Sequence, residues 1–153
     1  MASSPLCETV VIRYRVSKVI VRLEDELPAR FLMSLKSKPG SSSNGKLEFL
    51  GGRHEAGENA LDALIRELSE EDRSGCLAEA VCVARPEACE MLLDDALHFV
   101  FQLTIASEMF EKLNHDPSES LGFRLVEEKD LVVGELFTRK TNGILAALEL
   151  RDG

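Results

Sequence analysis

The sequence predicts an α+β or α/β-sandwich domain built on a mixed sheet, and three observations lead there. Runs with the two-residue hydrophobic period of a strand outnumber runs with a helical period. The two kinds follow each other irregularly rather than in strict alternation, which implies a sheet with both parallel and antiparallel pairs. At 153 residues, 44% hydrophobic and 29% charged, the chain is the size of one domain and buries about 70% of its unfolded surface. We therefore treat residues 1–153 as a single domain.

Taken in order, residues 9–23 alternate Val10, Ile12, Tyr14 and Val16 against Val11, Arg13 and Arg15, a strand period that predicts one bent strand or two. Phe31, Met33 and Leu35 alternate in the same way after Pro28. The run 38–45, Lys-Pro-Gly-Ser-Ser-Ser-Asn-Gly, then reads as a hairpin loop, with the strand resuming over 47–50. A helix follows from about residue 60. Beyond it, strand-like runs are expected at 77–83, 90–93 and 97–105, with Asp94-Asp95 as the turn between the last two. Residues 107–114 read as a short helix and 123–127 as a strand. Ile144, Leu145 and Leu148 mark a C-terminal helix.

Charge narrows the function. Lys and Arg number 18 against 27 Asp and Glu, a formal net charge of -9 and a pI near 4.9. This disfavours nucleic acid or an anionic membrane surface as the main partner. No apolar run approaches the roughly 20 residues of a membrane span, and the N-terminal residues have no signal-peptide pattern, so the expected compartment is the cytoplasm. Cys7, Cys76, Cys82 and Cys89 form no C-x-x-C pair and are expected to be reduced, mostly buried thiols.

The chemistry is concentrated in residues 51–72. Gly51-Gly52-Arg53-His54-Glu55-Ala56-Gly57-Glu58-Asn59 reads as a loop feeding a helix, with Asn59 as N-cap and Asp62 three residues on. Leu61, Leu64, Ile65 and Leu68 form one apolar stripe. Glu67, Glu70 and Glu71, at i, i+3 and i+4, put three carboxylates on another face. Like charges so spaced destabilise a helix unless a cation sits among them. Oxygen donors without Cys or His select Mg2+, or Mn2+ in its place, and Mg2+ favours sites shared with substrate phosphates. The glycine pair lets the backbone come close, so a main-chain carbonyl could join the carboxylates. Arg66 is spaced to pair with Glu70 or, from the loop, with Glu58.

The stretch matches G-x5-E-x7-R-E-U-x-E-E, where U is a large aliphatic residue, with Gly52, Glu58, Arg66, Glu67, Leu68, Glu70 and Glu71 in place. At average residue usage such a match arises by chance in a chain this long about once in a hundred thousand. The segment resembles the signature of the Nudix hydrolases, which cleave a diphosphate linked to another moiety, usually in a nucleotide. The resemblance implies an α/β/α sandwich around a mixed sheet, with Glu67, Glu70 and Glu71 as metal ligands and the Gly51 carbonyl as a further one. It implies Glu58 as a support, Arg66 as the orienting residue, and attack of a metal-activated water on phosphorus. More than one Mg2+ is implied in the substrate complex, and one of the glutamates as an aid to deprotonating the water.

One departure concerns the helix end. The family pattern puts Gly at position 73, where this chain has Arg73. A helix half a turn longer, ended by Gly75 in the left-handed conformation, with Cys76 or Leu77 in the following aliphatic place, would repair the pattern.

Other candidates rest on position alone. Glu119, shortly before Phe123, stands where many family members have a loop glutamate that binds metal or acts as base. Lys36, Lys38 and Lys46 flank the Ser-rich loop and could meet substrate phosphates; Arg53 and His54 read as rim residues of the box. His98 lies opposite the phenylalanines of its strand, and His115 sits in a loop without a partner evident in the sequence. The Pro and Tyr that mark some family subgroups some 15 positions beyond the box are missing, since Cys89, Glu90 and Met91 occupy that region. The net negative charge opposes a highly phosphorylated substrate unless a local positive field is supplied.

The reading is an Mg2+-dependent pyrophosphohydrolase acting on a nucleoside diphosphate derivative or a (di)nucleoside polyphosphate. The alternative is a nucleotide-binding or regulatory module of the same fold with little hydrolysis. A homodimer, common in the family, and a monomer suit the sequence equally.

Overall fold

The computed structural model describes residues 11–152, and side chains through residue 149. Val10 and Cys7, assigned above to a strand and to the core, lie outside the described residues.

The N-terminal alternation becomes one strand, β1 (Tyr14–Leu23). It is followed by β2 (Arg30–Lys36), the short β3 (Leu47–Glu48) and β4 (Leu50–Arg53). Two helices come next, α1 (Ala60–Glu71) and α2 (Cys76–Ala84). The chain then runs through β5 (Ala88–Leu93), β6 (Ala96–Ile105), β7 (Ser120–Glu127) and α3 (Arg139–Asp152). Single 3-10 stretches occupy Ser107–Lys112 and Glu128–Asp130.

The sheet is mixed. Its main path runs β3-β2-β1-β6-β5, with β7 added to β2 and β4 added to β1. Among the described strands only the β1–β6 pair is parallel, in register over their full lengths from Tyr14 opposite Ala96 to Leu23 opposite Ile105. β2 and β4 share the other edge of β1: β2 pairs at Val21 and Arg22, β4 at Val16 to Val19. That fork opens the sheet at its centre and sets the place of the cavity described below.

Both sheet faces are covered. Val19, Val21, Leu32, Phe101 and Leu103 pack on Leu64 and Leu68 of α1 and Leu77 and Val81 of α2. Ile20, Met33, Met91 and Val100 point the other way, onto Ile144 and Leu145 of α3. Alternate residues of one strand thus enter different cores, the reason β1 is buried continuously from Val16 to Val21. The α/β/α sandwich is the arrangement expected.

Three expectations need correction. Residues 77–83 form a helix, not a strand. Valine favours strands, but Leu77, Ala78 and Val81 share one helical face and are buried, whereas Cys82 and Val83 face solvent. Gly75 is left-handed (φ 78°), but it begins α2 instead of ending α1, which stops at Glu71. Of the two aliphatic candidates Leu77 is the buried one. The thiols are not core residues among the described cysteines, since Cys82 is exposed and Cys76 and Cys89 are half-buried.

Asp72 replaces glycine as the organiser of this junction. It is fully buried, its own N–H donates to Leu68 O at 2.9 Å, and its carboxylate accepts from the N–H groups of Ser74, Leu77 and Asn114 at 3.1, 3.2 and 2.9 Å and from the Ser74 hydroxyl. Asp72→Ala would strand these donors, at about 3 kcal/mol. The expected result is a thermal midpoint about 10 °C lower, measured by circular dichroism; an unchanged midpoint would show that another contact holds the junction.

Candidate active site

Helix α1 starts where the sequence places it. Asn59 Oδ1 accepts from the Asp62 N–H at 2.8 Å and its Nδ2 donates to the Asp62 carboxylate at 3.0 Å, a reciprocal cap. Gly51, Gly52 and Arg53, read above as loop, are strand β4; the loop proper begins at His54.

Gly51 lets β4 lie where a side chain could not, and Gly52 leaves room for the end of the Glu67 side chain. Gly51 has φ 127°, and a Cβ there would fall 2.0 Å from the Ser17 carbonyl oxygen. A Cβ on Gly52 would fall 2.4 Å from the carboxyl carbon of Glu67. The approach is fastened by the Gly51 N–H, which donates to Glu71 Oε1 at 2.9 Å.

Arg66 clamps the loop to the helix. Its Nε and Nη2 donate to the two carboxylate oxygens of Glu58 at 2.7 and 3.0 Å. Nη2 also donates to the Arg53 carbonyl at 2.8 Å, and Nη1 to Glu67 and Glu70 at 3.1 and 3.3 Å. Both partners proposed for Arg66 are engaged. The hydrogen bond from Arg66, then one from the Glu55 N–H, holds Glu58 down at about 2, and Glu58 in turn raises Arg66 above its ordinary value.

Glu67 and Glu71 line a cavity of about 650 Å3, together with Gly51, Gly52 and Arg53. Glu70 does not; its side chain is 52% exposed and turned to Arg66. Two of the three carboxylates therefore meet in the cavity, and the third is held at its margin. Burial, then the charge of Glu70, raises Glu67. Burial raises Glu71 to about 8, against the lowering effects of Lys18 and the Gly51 N–H.

Among the described residues, no three carboxylate, imidazole or thiolate groups stand close enough to hold an ion by themselves. The donor set nevertheless fits a hard divalent ion. Two carboxylates and the Gly51 carbonyl are oxygen donors on one cavity, and Mg2+ commonly takes one or two carboxylates with water and substrate phosphate completing the shell.

Cations line the same cavity, and two of them, Lys18 and Lys140, were missed in the sequence. Lys18 of β1, only 5% exposed, donates to the carbonyls of Phe49 (3.0 Å) and Gly51 (3.3 Å) and lies 3.9 Å from Glu48. Lys36 pairs with Glu48 at 3.5 Å. Lys36, Lys38, Arg53 and Glu119 line the cavity, joined by Lys18, Glu48, Asp116 and, from the first turn of α3, Lys140. Burial, then the charges of Lys18, Arg53 and Lys36, lowers Lys140 to about 8. Lys46 is not part of the lining. A lone lysine inside a Val/Ile strand was the available signal for Lys18; nothing local marked Lys140.

The histidines stand apart from the cavity lining. His54 stacks on Phe99, with centroids 5.4 Å apart. Its Nε2 donates to Ser17 Oγ at 2.7 Å, because the Ser17 hydroxyl gives its own proton to Ala60 O. His98 is buried with Nδ1 3.3 Å from Ala96 O. His115 does have a partner, an edge contact with Phe123 at 6.2 Å.

Neither protein-family models nor curated proteins give a match to the sequence. Solved structures do resemble the fold. A MutT protein from Methanosarcina mazei Go1 is 14% identical, with 91% of this chain and 94% of that one covered and a TM-score of 0.61. A NUDIX-family hydrolase from Clostridium perfringens is 20% identical, with coverages of 90% and 97% and a TM-score of 0.56. A bifunctional NMN adenylyltransferase/ADP ribose pyrophosphatase from Francisella tularensis, complexed with AMP and an Mn ion, is 16% identical; 92% of this chain covers 42% of that one, with a TM-score of 0.61. At these identities the likeness is one of fold, and the fold is the Nudix fold.

The raised Glu71 makes a pH prediction. A carboxyl group whose folded value, about 8, exceeds its ordinary 4.5 favours the folded state while protonated, so metal-free protein loses stability as pH rises through that interval. In EDTA, Glu71→Gln is expected to raise the thermal midpoint by about 5 °C at about pH 8.5 and to leave it unchanged at about pH 5. Equal midpoints for variant and wild type at both pH values would contradict the assigned burial.

Proposed function

We propose that this chain is a divalent-metal-dependent hydrolase of diphosphate linkages, acting on a nucleoside diphosphate derivative or a (di)nucleoside polyphosphate in the cytoplasm. The observation that carries the proposal is the cavity itself, which gathers Glu67, Glu71 and Gly51 with Lys18, Lys36, Lys38, Arg53 and Lys140. Hydrolysis of a phosphoanhydride needs a cation to neutralise the departing phosphate and lower the pKa of the attacking water, which Mg2+ supplies when bound, with Mn2+ as substitute.

In this reading Glu67, Glu71 and Gly51 hold the metal, and Glu70 joins them by turning from Arg66. Arg66 and Glu58 act as a brace: tied to the Arg53 carbonyl and to Glu67, they fix β4 and the Glu67 carboxylate in one geometry. Lys36, Lys38 and Arg53 receive phosphate oxygens. Glu119 faces the same cavity as a base or further ligand.

The test is turnover of a substrate panel with Mg2+: nucleoside triphosphates, ADP-ribose, a dinucleotide cofactor, diadenosine polyphosphates and a diphosphoinositol phosphate. Hydrolysis of at least one member is expected. Glu70→Gln and Glu71→Gln should each lose at least about a hundredfold in kcat. Gly52→Ala should lose as much while folding normally, because the added methyl meets only the movable end of Glu67. Wild-type rates in the glutamine variants would refute the roles given to them. Tight nucleotide binding without product would favour a binding module of the same fold.

A further inference from the structure

The cavity lining carries five cationic side chains and five carboxylates, and two of the cations stand on an unusual support. Arg53 Cζ lies 3.9 Å from the centroid of the Tyr14 ring, and Lys140 Nζ lies 5.1 Å from the same centroid. Two cations share one aromatic ring. The π face attracts each of them by about 0.5–2 kcal/mol, but it does not cancel their mutual repulsion. Among the described residues no carboxylate stands within ion-pair distance of either, whereas Lys36 and Lys18 both approach Glu48. The charges of Lys18, Arg53 and Lys36 all act on Lys140, against a smaller opposing effect of Glu48. Two cations gathered on one ring beside a cavity, neither within ion-pair distance of a carboxylate, are complementary to an anion from outside.

Their place in the fold separates this pair from the carboxylates. Gly51 faces Lys18 across the β1–β4 ladder and Arg53 faces Val16, about 7 Å further along the strand. Tyr14 lies beyond that, at the start of β1. Building on the catalytic reading above, we propose that Arg53 and Lys140, held on Tyr14, form a second anion subsite that takes phosphate beyond the scissile diphosphate, so that the preferred substrate carries at least three phosphates. Among the described residues no aromatic side chain lines the cavity, whereas Ser34, Ser37, Ser43, Ser118, Ser120 and Thr138 do. Recognition inside it is therefore by charge and hydroxyl hydrogen bonds, not by stacking. A nucleoside polyphosphate with its base at the rim and a polyol bearing several phosphates share this chemistry.

The subsite is testable without turnover. Isothermal titration of the full chain in EDTA, with tripolyphosphate and pyrophosphate as probes, should show tripolyphosphate bound about tenfold more tightly. Lys140→Gln and Tyr14→Leu should each remove that preference, with folding checked by thermal midpoint. Lys129→Gln, which makes the same charge change at an exposed site paired with Glu127, should keep it. Equal affinity for the two probes in wild type, or an undiminished preference in Lys140→Gln, would overturn the proposal. Displacement of tripolyphosphate by diadenosine tetraphosphate would assign the phosphates to a nucleotide, and displacement by inositol hexakisphosphate to a polyol; displacement by neither would count against the subsite. Binding here with silence in the hydrolysis panel would count against the catalytic reading alone.

Discussion

The close approach of β4 to its two neighbours is the constraint on which the rest of the structure depends. At Gly51 the backbone passes so near Ser17 of β1 that no side chain fits, and at Gly52 it passes as near the carboxylate of Glu67. Because β4 takes the half of the β1 edge that β2 leaves free, the sheet forks, and the cavity occupies the opening. The bond from the Gly51 N–H to Glu71 then ties the strand to the acidic face of α1. A main-chain carbonyl, two carboxylates and a buried lysine are thereby brought together from three elements that local sequence would not place in contact.

Electrostatics explains why so acidic a chain can present such a site. Carboxylates at i, i+3 and i+4 repel, and taking two of them out of water adds to the cost. Arg66 offsets part of this by bonding to Glu58, Glu67 and Glu70 at once. Glu71 has no such partner, and its raised value of about 8 marks the place where a cation would relieve the most strain. Elsewhere in the cavity Arg53 and Lys140 are drawn to one ring. A net charge of -9 therefore says little about this surface, where cationic and acidic side chains line the cavity in equal number.

What could be read in the sequence was what depends on neighbours along the chain. Helix α1 was legible because its cap, its apolar stripe and its glutamates all lie within a few turns. The β5–β6 hairpin was legible because Asp94, at φ 54°, sits between two runs of strand period. Residues 77–83 were misread because Val suggests a strand, while the buried face of α2 is set by the core it meets. Gly75 was recognised as left-handed, but whether it ends one helix or begins the next depends on Asp72, which binds Asn114, a residue 42 positions away. The remaining cations of the cavity, Lys18 and Lys140, were hidden for the same reason. Lys18, Tyr14 and Lys140 come from the first strand and the last helix, and only the fold makes them neighbours of the box.

The central claim is that Glu67, Glu71 and the Gly51 carbonyl form a divalent-metal site. The most direct measurement is an anomalous-scattering map from crystals soaked in Mn2+. A peak bounded by those three groups, lost in Glu71→Gln crystals, is the expected result. A peak bounded instead by Asp116 and Glu119, or no peak in the cavity at saturating Mn2+, would contradict it.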